Sequence, residues 1–419
     1  MIHRIEALSY RSLRDLSVRL GPLQVLGGPN ESGKTALFDV PSFLGRLVTH
    51  GLDAAIDERT DDMRDLVWQK KGERVELAVE ARILEEKKRL LPDQHFDLIR
   101  YEVVVGVSSA GGEPEIETER VLLKELEQRQ PEEREFFPFD SPARKTIVTP
   151  KVSGVRTVVN KSSGRKDNYY SEVYREPGKG WVMPFQLGPR KSALGNLPED
   201  ESKFPVTTWF KQLLSEGIQR FALDSSVLHR PAAPAEFIRM KMDGSNLPWV
   251  ISHLQEESPQ AFEAWVENAK TALPDVDTVH IVERPLDRHR YVNIKYQTGL
   301  EVPSWGASTG TLRLLALTLP AFLPDFSGIY FLEEPENGLH PRAVRTFFQS
   351  MCAVPHAQML IVTYSPVILS EAEPGHVICF AKTEGGATDV ISGSEHPMLR
   401  QWRGEKNLGL LFVDGILGS

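Results

Sequence analysis

Gly28-Pro29-Asn30-Glu31-Ser32-Gly33-Lys34-Thr35 is the stretch on which the fold turns. It satisfies the spacing G-x-x-x-x-G-K-[ST], and every fixed position has a physical reason. The glycines let backbone N–H groups point inward at phosphate oxygens, Lys34 adds a point charge for the outer phosphates, and the Thr35 hydroxyl is a ligand for Mg²⁺. Gly28, Asn30, Glu31, Ser32, Gly33, Lys34, Thr35 and the following Ala36 form the candidate phosphate-binding set.

The flanks agree with that reading. Leu23-Gln24-Val25-Leu26 is a short apolar run that enters the loop as a strand, and a helix begins near Gly33. Pro41 falls too deep for the tolerated first turn, so a kink or early end of that helix is expected. Upstream, polar and apolar residues alternate around two turns. Downstream, Val75, Leu77, Val79, Ala81 and Ile83 alternate with Glu76, Ala78, Glu80 and Arg82, which predicts a half-exposed antiparallel strand, with Tyr101 to Val107 pairing nearby.

A second acidic element lies far along the chain. In Ile329-Tyr330-Phe331-Leu332-Glu333-Glu334 four apolar residues predict a buried strand that ends in two carboxylates. Such a strand holds its terminal acids rigidly, so Glu333 suits Mg²⁺ binding through water and Glu334 suits orienting or deprotonating an attacking water.

With these two elements in place a family likeness emerges. Leu332-Glu333-Glu334-Pro335-Glu336-Asn337-Gly338-Leu339-His340-Pro341 resembles the Walker B and D-loop of the OLD-type ATPases grouped as AAA-21, and Ala307-Ser308-Thr309-Gly310-Thr311-Leu312-Arg313 resembles their ABC signature. The resemblance implies an α/β fold: an ABC-type, SMC/RecF-like P-loop ATPase head with a mixed sheet, an antiparallel β layer and a helical lobe carrying the signature. It implies ATP and Mg²⁺ as cofactors, and Ser308 and Gly310 at a helix N-terminus that caps the γ-phosphate held by a second copy. The partner so implied is a second copy in a homodimer around ATP, or a higher oligomer built on it. Where most relatives carry a γ-phosphate-sensing histidine after a strand like Met359–Thr363, this chain has Tyr364. Its hydroxyl still donates a hydrogen bond but is not readily protonated, which implies slow or partner-stimulated hydrolysis. Gln69, just before the alternating strand, stands near the place of a Q-loop glutamine reaching Mg²⁺; a solvated polar residue is the alternative.

The domains expected are an N-terminal part of the head over 1–110, a β-rich, partly basic insertion over 111–205, a helical lobe with connecting strands over 206–300, and the C-terminal part of the head over 301–419. Helical spacing supports the third at Trp209, Leu213, Leu214, Ile218 and Phe221, and again at Ala261, Phe262, Trp265, Ala269 and Leu273. From Val279 onward strands alternate with helices, the order of a mostly parallel sheet. In the insertion Pro131, Pro138, Pro142, Pro150, Pro177, Pro184, Pro189, Pro198 and Pro205 exclude the heptad coil that SMC proteins carry there. Arg144, Lys145, Lys151, Arg156, Lys161, Arg165 and Lys166, followed by Tyr169 and Tyr170, fit either a nucleic-acid patch or a solvated hairpin turning at Lys161-Ser162-Ser163-Gly164-Arg165.

Bulk composition narrows the setting. The 419 residues, 41% hydrophobic and 26% charged, are those of an ordinary globular chain large enough for two lobes. No apolar run reaches the roughly 20 residues needed to span a bilayer, so a cytoplasmic location without membrane partners is expected. Cys352 and Cys379, the two cysteines, read as buried thiols in a reducing compartment. A net charge of −9 disfavours uniform attraction to nucleic acid.

The leading functional reading is the sensor or motor ATPase of a prokaryotic anti-phage system, with nucleic acid as a candidate ligand. About 50 residues follow Pro366, without acids spaced for two-metal cleavage, so a nuclease effector, Toprim-like as in OLD relatives, is expected on another chain. A RecF-like repair clamp is the first alternative. A transporter subunit is the second, and the roughly 270 residues between Thr35 and Ser308 weigh against it.

Overall fold

The structure, a computed structural model, describes the chain except for residues 109–110, 128–133, 175–181, 235–238, 355, 402–406 and 418–419. Pro131 and Pro177 lie outside the described residues. The chain divides into two units. One comprises Met1–Ile218, Pro374–Lys406 and Gly415–Ser419, the other Gln219–Glu373 and Asn407–Asp414.

The first unit is dominated by an antiparallel sheet. After β1 (Ile2–Tyr10), β2 (Leu13–Arg19) and β3 (Leu23–Gly27) come β4 (Arg74–Arg82), β5 (Leu98–Val107), β6 (Pro114–Lys124), β7 (Val155–Ser162), β8 (Asp167–Tyr170) and β9 (Val182–Phe185). All but β3 join one eight-stranded sheet in the order β2-β1-β4-β5-β6-β7-β8-β9. Its register aligns Val18, Ile5, Val79, Tyr101, Val121, Val159 and Tyr169 in a single row. All seven are buried, so this row lies on the inward face, as the period of two requires.

The opposite face departs from expectation. β4 was expected to be half-exposed, yet Leu77 to Ala81 are buried on both faces, Glu76 and Glu80 included. The reason is a charged layer roofed by the segment running through Arg144 and Thr149. Arg100 donates to Glu6, to Glu80 at 3.0 Å and to Glu102 at 2.8 Å, and Lys124 reaches Glu80 at 2.9 Å. From the roof, Arg144 pairs with Glu6 at 2.7 Å, Thr146 Oγ1 and the Ile147 N–H donate to Glu76, and Thr149 Oγ1 donates to Glu102. Buried carboxylates persist only when paired and hydrogen-bonded, and these are. Burial alone would raise the Glu6 carboxyl, but Arg100 and Arg144 outweigh it and bring it down to about 2.

That pairing also decides the fate of the basic stretch. Arg144 binds Asp15 as well as Glu6, Arg156 lies 3.6 Å from Asp93, and buried Lys161 sits 3.4 Å from Asp167. Tyr169 is fully buried, its hydroxyl donating to the Ala193 carbonyl at 2.9 Å. The hairpin reading prevails over the stacking patch: β7 turns into β8 through Gly164 at φ 71°, where Arg165 and Lys166 stay exposed. Between Lys124 and Pro205 the described residues contain strands and irregular segments but no helix, as the prolines require.

Two helices complete this unit's core. The helix Lys34–His50 continues past Pro41, so of the expected kink or early end the early end does not occur. Losing one backbone bond there costs about 3 kcal/mol. Burial of Leu37, Phe38, Val40, Phe43, Leu44, Leu47 and Val48 offsets it, at roughly 1.5–3 kcal/mol for each large side chain. The helix Pro205–Ser215 buries Val206, Phe210 and Leu214 and ends before Ile218; Ile218 and Phe221 instead belong to β10 (Ile218–Phe221). Its N-terminus is held by buried Glu172, which accepts from the Val206 and Thr207 N–H groups at 2.7 and 2.8 Å and from the Thr207 hydroxyl.

The second unit pairs β11 (Val276–Glu283), β12 (Arg290–Tyr296) and β13 (Glu301–Pro303) antiparallel, so the stretch from Val279 begins as a meander rather than a parallel sheet. Parallel pairing starts with β14 (Gly328–Glu333) and β15 (Ala357–Val362), joined through the helix Pro341–Cys352. Cys352 is exposed rather than buried, because it lies just past Phe348 and Met351 on the buried stripe of that helix. The helices Leu247–Glu257, Pro259–Lys270 and Thr309–Thr318 pack around fully buried Trp265, whose Nε1 donates to Thr318 Oγ1 at 3.1 Å. Back in the first unit, β16 (Val377–Lys382) runs parallel to β3 and antiparallel to β17 (Thr388–Ser392), making that sheet mixed.

Two outcomes follow from the buried charges. Arg100→Met leaves Glu6, Glu80 and Glu102 short of their shared cation and lowers stability by about 3–5 kcal/mol, read as a drop in urea midpoint; an unchanged midpoint would contradict the charged-layer account. Burial pushes the Glu172 carboxyl up to about 7. A raised folded-state value gives stability that is full below the usual carboxylate range and lost as pH rises through about 7. The thermal midpoint therefore falls between pH ~5 and ~8 by an amount that Glu172→Gln reduces, and an equal fall in the variant would refute this.

Candidate functional site

β3 is buried throughout and delivers the chain into the loop beginning at Gly28. A Cβ at Gly28 would stand 2.3 Å from the Phe380 carbonyl oxygen, and one at Gly33, where φ is 100°, 2.3 Å from Thr388 Oγ1. Both glycines are thus required by close approach to β16 and β17, as well as by the turn itself. Glu31 also takes a left-handed conformation, φ 58°, with its carboxylate outward and 3.0 Å from Lys382 Nζ. Ser32 is fully buried, whereas Asn30 and Thr35 are exposed.

Lys34 is buried, and its Nζ donates to the Gly28 and Pro29 carbonyls at 2.8 and 2.7 Å and to Ser32 Oγ at 3.2 Å. The ammonium is therefore held inside the loop's own curve. The helix it opens has no side-chain cap and no acid in its first turn, and a helix N-terminus of that kind carries the positive dipole end that favours a phosphate. Ala36 is buried in that first turn. Gln69 is exposed at φ 53°; its amide donates to the Gly385 carbonyl at 3.2 Å and accepts from Lys71 at 3.0 Å.

The acids belong to the second unit. Ile329 to Leu332 are between 1% and 3% exposed, as four apolar residues in a row predict, and Glu333 and Glu334 emerge half-buried at the strand end. Glu334 sits at φ 46°, a left-handed turn rare outside glycine. Its N–H is anchored on the Val362 carbonyl at 2.9 Å, and its Oε2 accepts from Asn337 Nδ2 at 2.7 Å. Glu336 accepts from Thr363 Oγ1 at 2.5 Å and from the Tyr364 N–H at 3.0 Å, tying the turn after β14 to the segment after β15. Burial, then the nearby carboxylates of Glu334, Glu333 and Glu336, push the Tyr364 phenol above its ordinary value. It is therefore a hydrogen-bond donor over the physiological range.

Ser308 caps the helix Thr309–Thr318, its Oγ accepting from the Thr311 N–H at 3.1 Å. A Cβ at Gly310 would lie 2.9 Å from the Gly338 carbonyl, so a glycine there permits contact with the turn that follows the acids. Glu333 and Glu334 line a cavity of about 370 Å³ together with Arg220, Leu223, Arg313 and Asn337. Arg220 Nη2 donates to Glu333 Oε2 at 2.5 Å.

The second unit thus brings together Glu333, Glu334 and Tyr364, and sets Gly310 against Gly338. Glu336 and Asn337 were quoted in the sequence motif without a role, and their side-chain bonds supply one. Arg220 and Lys382 carry no sequence signal. Among the described residues no cluster of three or more His, Cys, Asp or Glu forms a metal cage. That is no obstacle to magnesium, which in phosphate sites commonly takes only one or two protein oxygens beside phosphate and water.

The family model described as "AAA domain, putative AbiEii toxin, Type IV TA system" matches residues 23–370. Among solved structures, an Smc head bound to the C-winged helix domain of ScpA is similar at TM-score 0.50 and 12% identity, covering 93% of this chain and 97% of that one. An Smc head with an extended coiled coil bound to the C-terminal domain of ScpA, from Pyrococcus furiosus, gives 0.47 and 12% over 96% and 99%. The SMC head domain from Thermotoga maritima gives 0.44 and 9% over 93% and 98%. At these identities the likeness is one of fold. No curated protein matches the chain. With a family model spanning most of its length and an Smc head as its structural counterpart, this chain belongs to the AAA-21 family and has the fold of an SMC/RecF-like ABC-type P-loop ATPase head.

Proposed function

We propose that the chain binds Mg²⁺·ATP and hydrolyses it to ADP and phosphate, as the ATPase of a prokaryotic defence system that works with a separate effector. The observation carrying the reading is the loop Gly28–Thr35, with its buried Lys34, its cradle closed by Gly28 and Gly33, and its uncapped helix. Lys34 and the first-turn N–H groups bind the phosphates. Thr35 and Glu333 serve as Mg²⁺ ligands, and Gln69 is carried as a further candidate. Magnesium, when bound, neutralises charge on the outer phosphates.

Glu334 orients the attacking water and accepts its proton, steered by the hydrogen bond from Asn337. Tyr364 donates a hydrogen bond toward the γ-phosphoryl group as it passes from ADP, the leaving group, to water, without the charge an imidazolium would add. Ser308 and Gly310 present the capped helix Thr309–Thr318 to nucleotide bound by a second copy, which makes the active species a homodimer or a higher oligomer. The family description as a toxin of a type IV TA system supports a role in a multi-chain system; a nuclease-type partner is the effector this reading favours. A cytoplasmic location belongs to the same proposal; no helix among the described residues is long and apolar enough to cross a membrane.

Three outcomes test this. Glu334→Gln lowers turnover by at least about 10²-fold while nucleotide binding persists and dimer accumulates in light scattering; unchanged turnover removes Glu334 from its role. Lys34→Ala abolishes binding of a fluorescent ATP analogue. Tyr364→His raises turnover and introduces a pH dependence centred near the imidazole range, ~6.5; a flat profile at wild-type rate would place Tyr364 outside the phosphate site.

A further inference from the structure

Glu333 has a partner that neither motif supplies. Arg220 stands on β10, an edge strand beside β14, and its Nη2 lies 2.5 Å from Glu333 Oε2. The side chains are 64% and 26% exposed, and both line the cavity of about 370 Å³ that also holds Glu334 and Asn337. Neighbouring carboxylates are already engaged: Glu334 with Asn337, and Glu336 with Thr363 and Tyr364. Glu333 is the acid of this turn that faces a cation.

A guanidinium and a hydrated divalent cation cannot share that carboxylate edge without strong repulsion, since both offer only donors or positive charge to the same oxygens. Arg220 is long, largely exposed and on a sheet edge, so it has room to leave. We propose that Arg220 is a displaceable counter-ion of Glu333 that competes with the divalent cation for its carboxylate, and so sets the Mg²⁺ concentration at which the site loads. The inference rests on the ATPase reading in taking Glu333 as a cation ligand. Arg220 is a positioning residue: it acts on the cation through Glu333 and on no reacting atom.

The test is Mn²⁺ binding, followed by electron paramagnetic resonance of the free ion, to the full chain saturated with a non-hydrolysable ATP analogue. Arg220→Ala should tighten Mn²⁺ binding by about twofold to fivefold, the modest scale expected of a largely exposed pair. Arg220→Lys should stay near wild type, and adding Glu333→Gln to Arg220→Ala should cancel the gain. An unchanged or weaker Mn²⁺ constant in Arg220→Ala, with analogue binding intact, overturns the proposal and leaves the ATPase reading standing. Failure of the wild-type chain to bind the analogue at all removes the ATPase reading, and this inference with it.

Discussion

The close approach of backbone to backbone around Gly28 is the constraint on which the first unit depends. The Phe380 carbonyl fills the space where any side chain at position 28 would stand, and Thr388 does the same at position 33. The loop is held against its neighbours by what its missing side chains allow. β16 and β17, which come from the far end of the chain, provide those contacts. This explains why Pro374–Lys406 belongs to the same unit as Met1–Ile218: the loop that opens the fold is completed only when the C-terminal strands arrive.

A second constraint is electrostatic. The antiparallel sheet carries Glu6, Glu76, Glu80, Glu102, Arg100 and Lys124 on one face, all of them buried. Paired charges of this kind add little net stability over apolar residues, but they penalise every arrangement that leaves one unpaired. Here they bind one particular segment, Arg144 to Thr149, in one register, through Glu6, Glu76 and Glu102. Among the described residues of the proline-rich insertion, Arg144 is thereby tied to the sheet and Lys161 to Asp167 of its own hairpin.

Legibility from sequence followed how local each feature is. The phosphate loop, the β14 acids and the Ser308 cap are short-range patterns, and each was readable from spacing and residue chemistry. The helix does not end at Pro41, because the cost of a helix proline is local whereas the apolar burial that outweighs it is tertiary. β4 looked half-exposed because alternation reports the pleat, not what covers the polar face; Arg144 and Thr146 lie some 60 residues or more further on. Ile218 and Phe221 kept a helical spacing that a short strand also permits. Arg220 was invisible for the same reason: its relation to Glu333 spans 113 positions, and no periodicity reports it.

The central claim is that the loop and the acids serve ATP hydrolysis. Its most direct measurement is phosphate release from ATP by the purified chain, with Mg²⁺ present and with Mg²⁺ removed by chelation. The account predicts saturable release that requires Mg²⁺ and is lost on chelation. Release that is indifferent to Mg²⁺, or none at any ATP concentration, would contradict it.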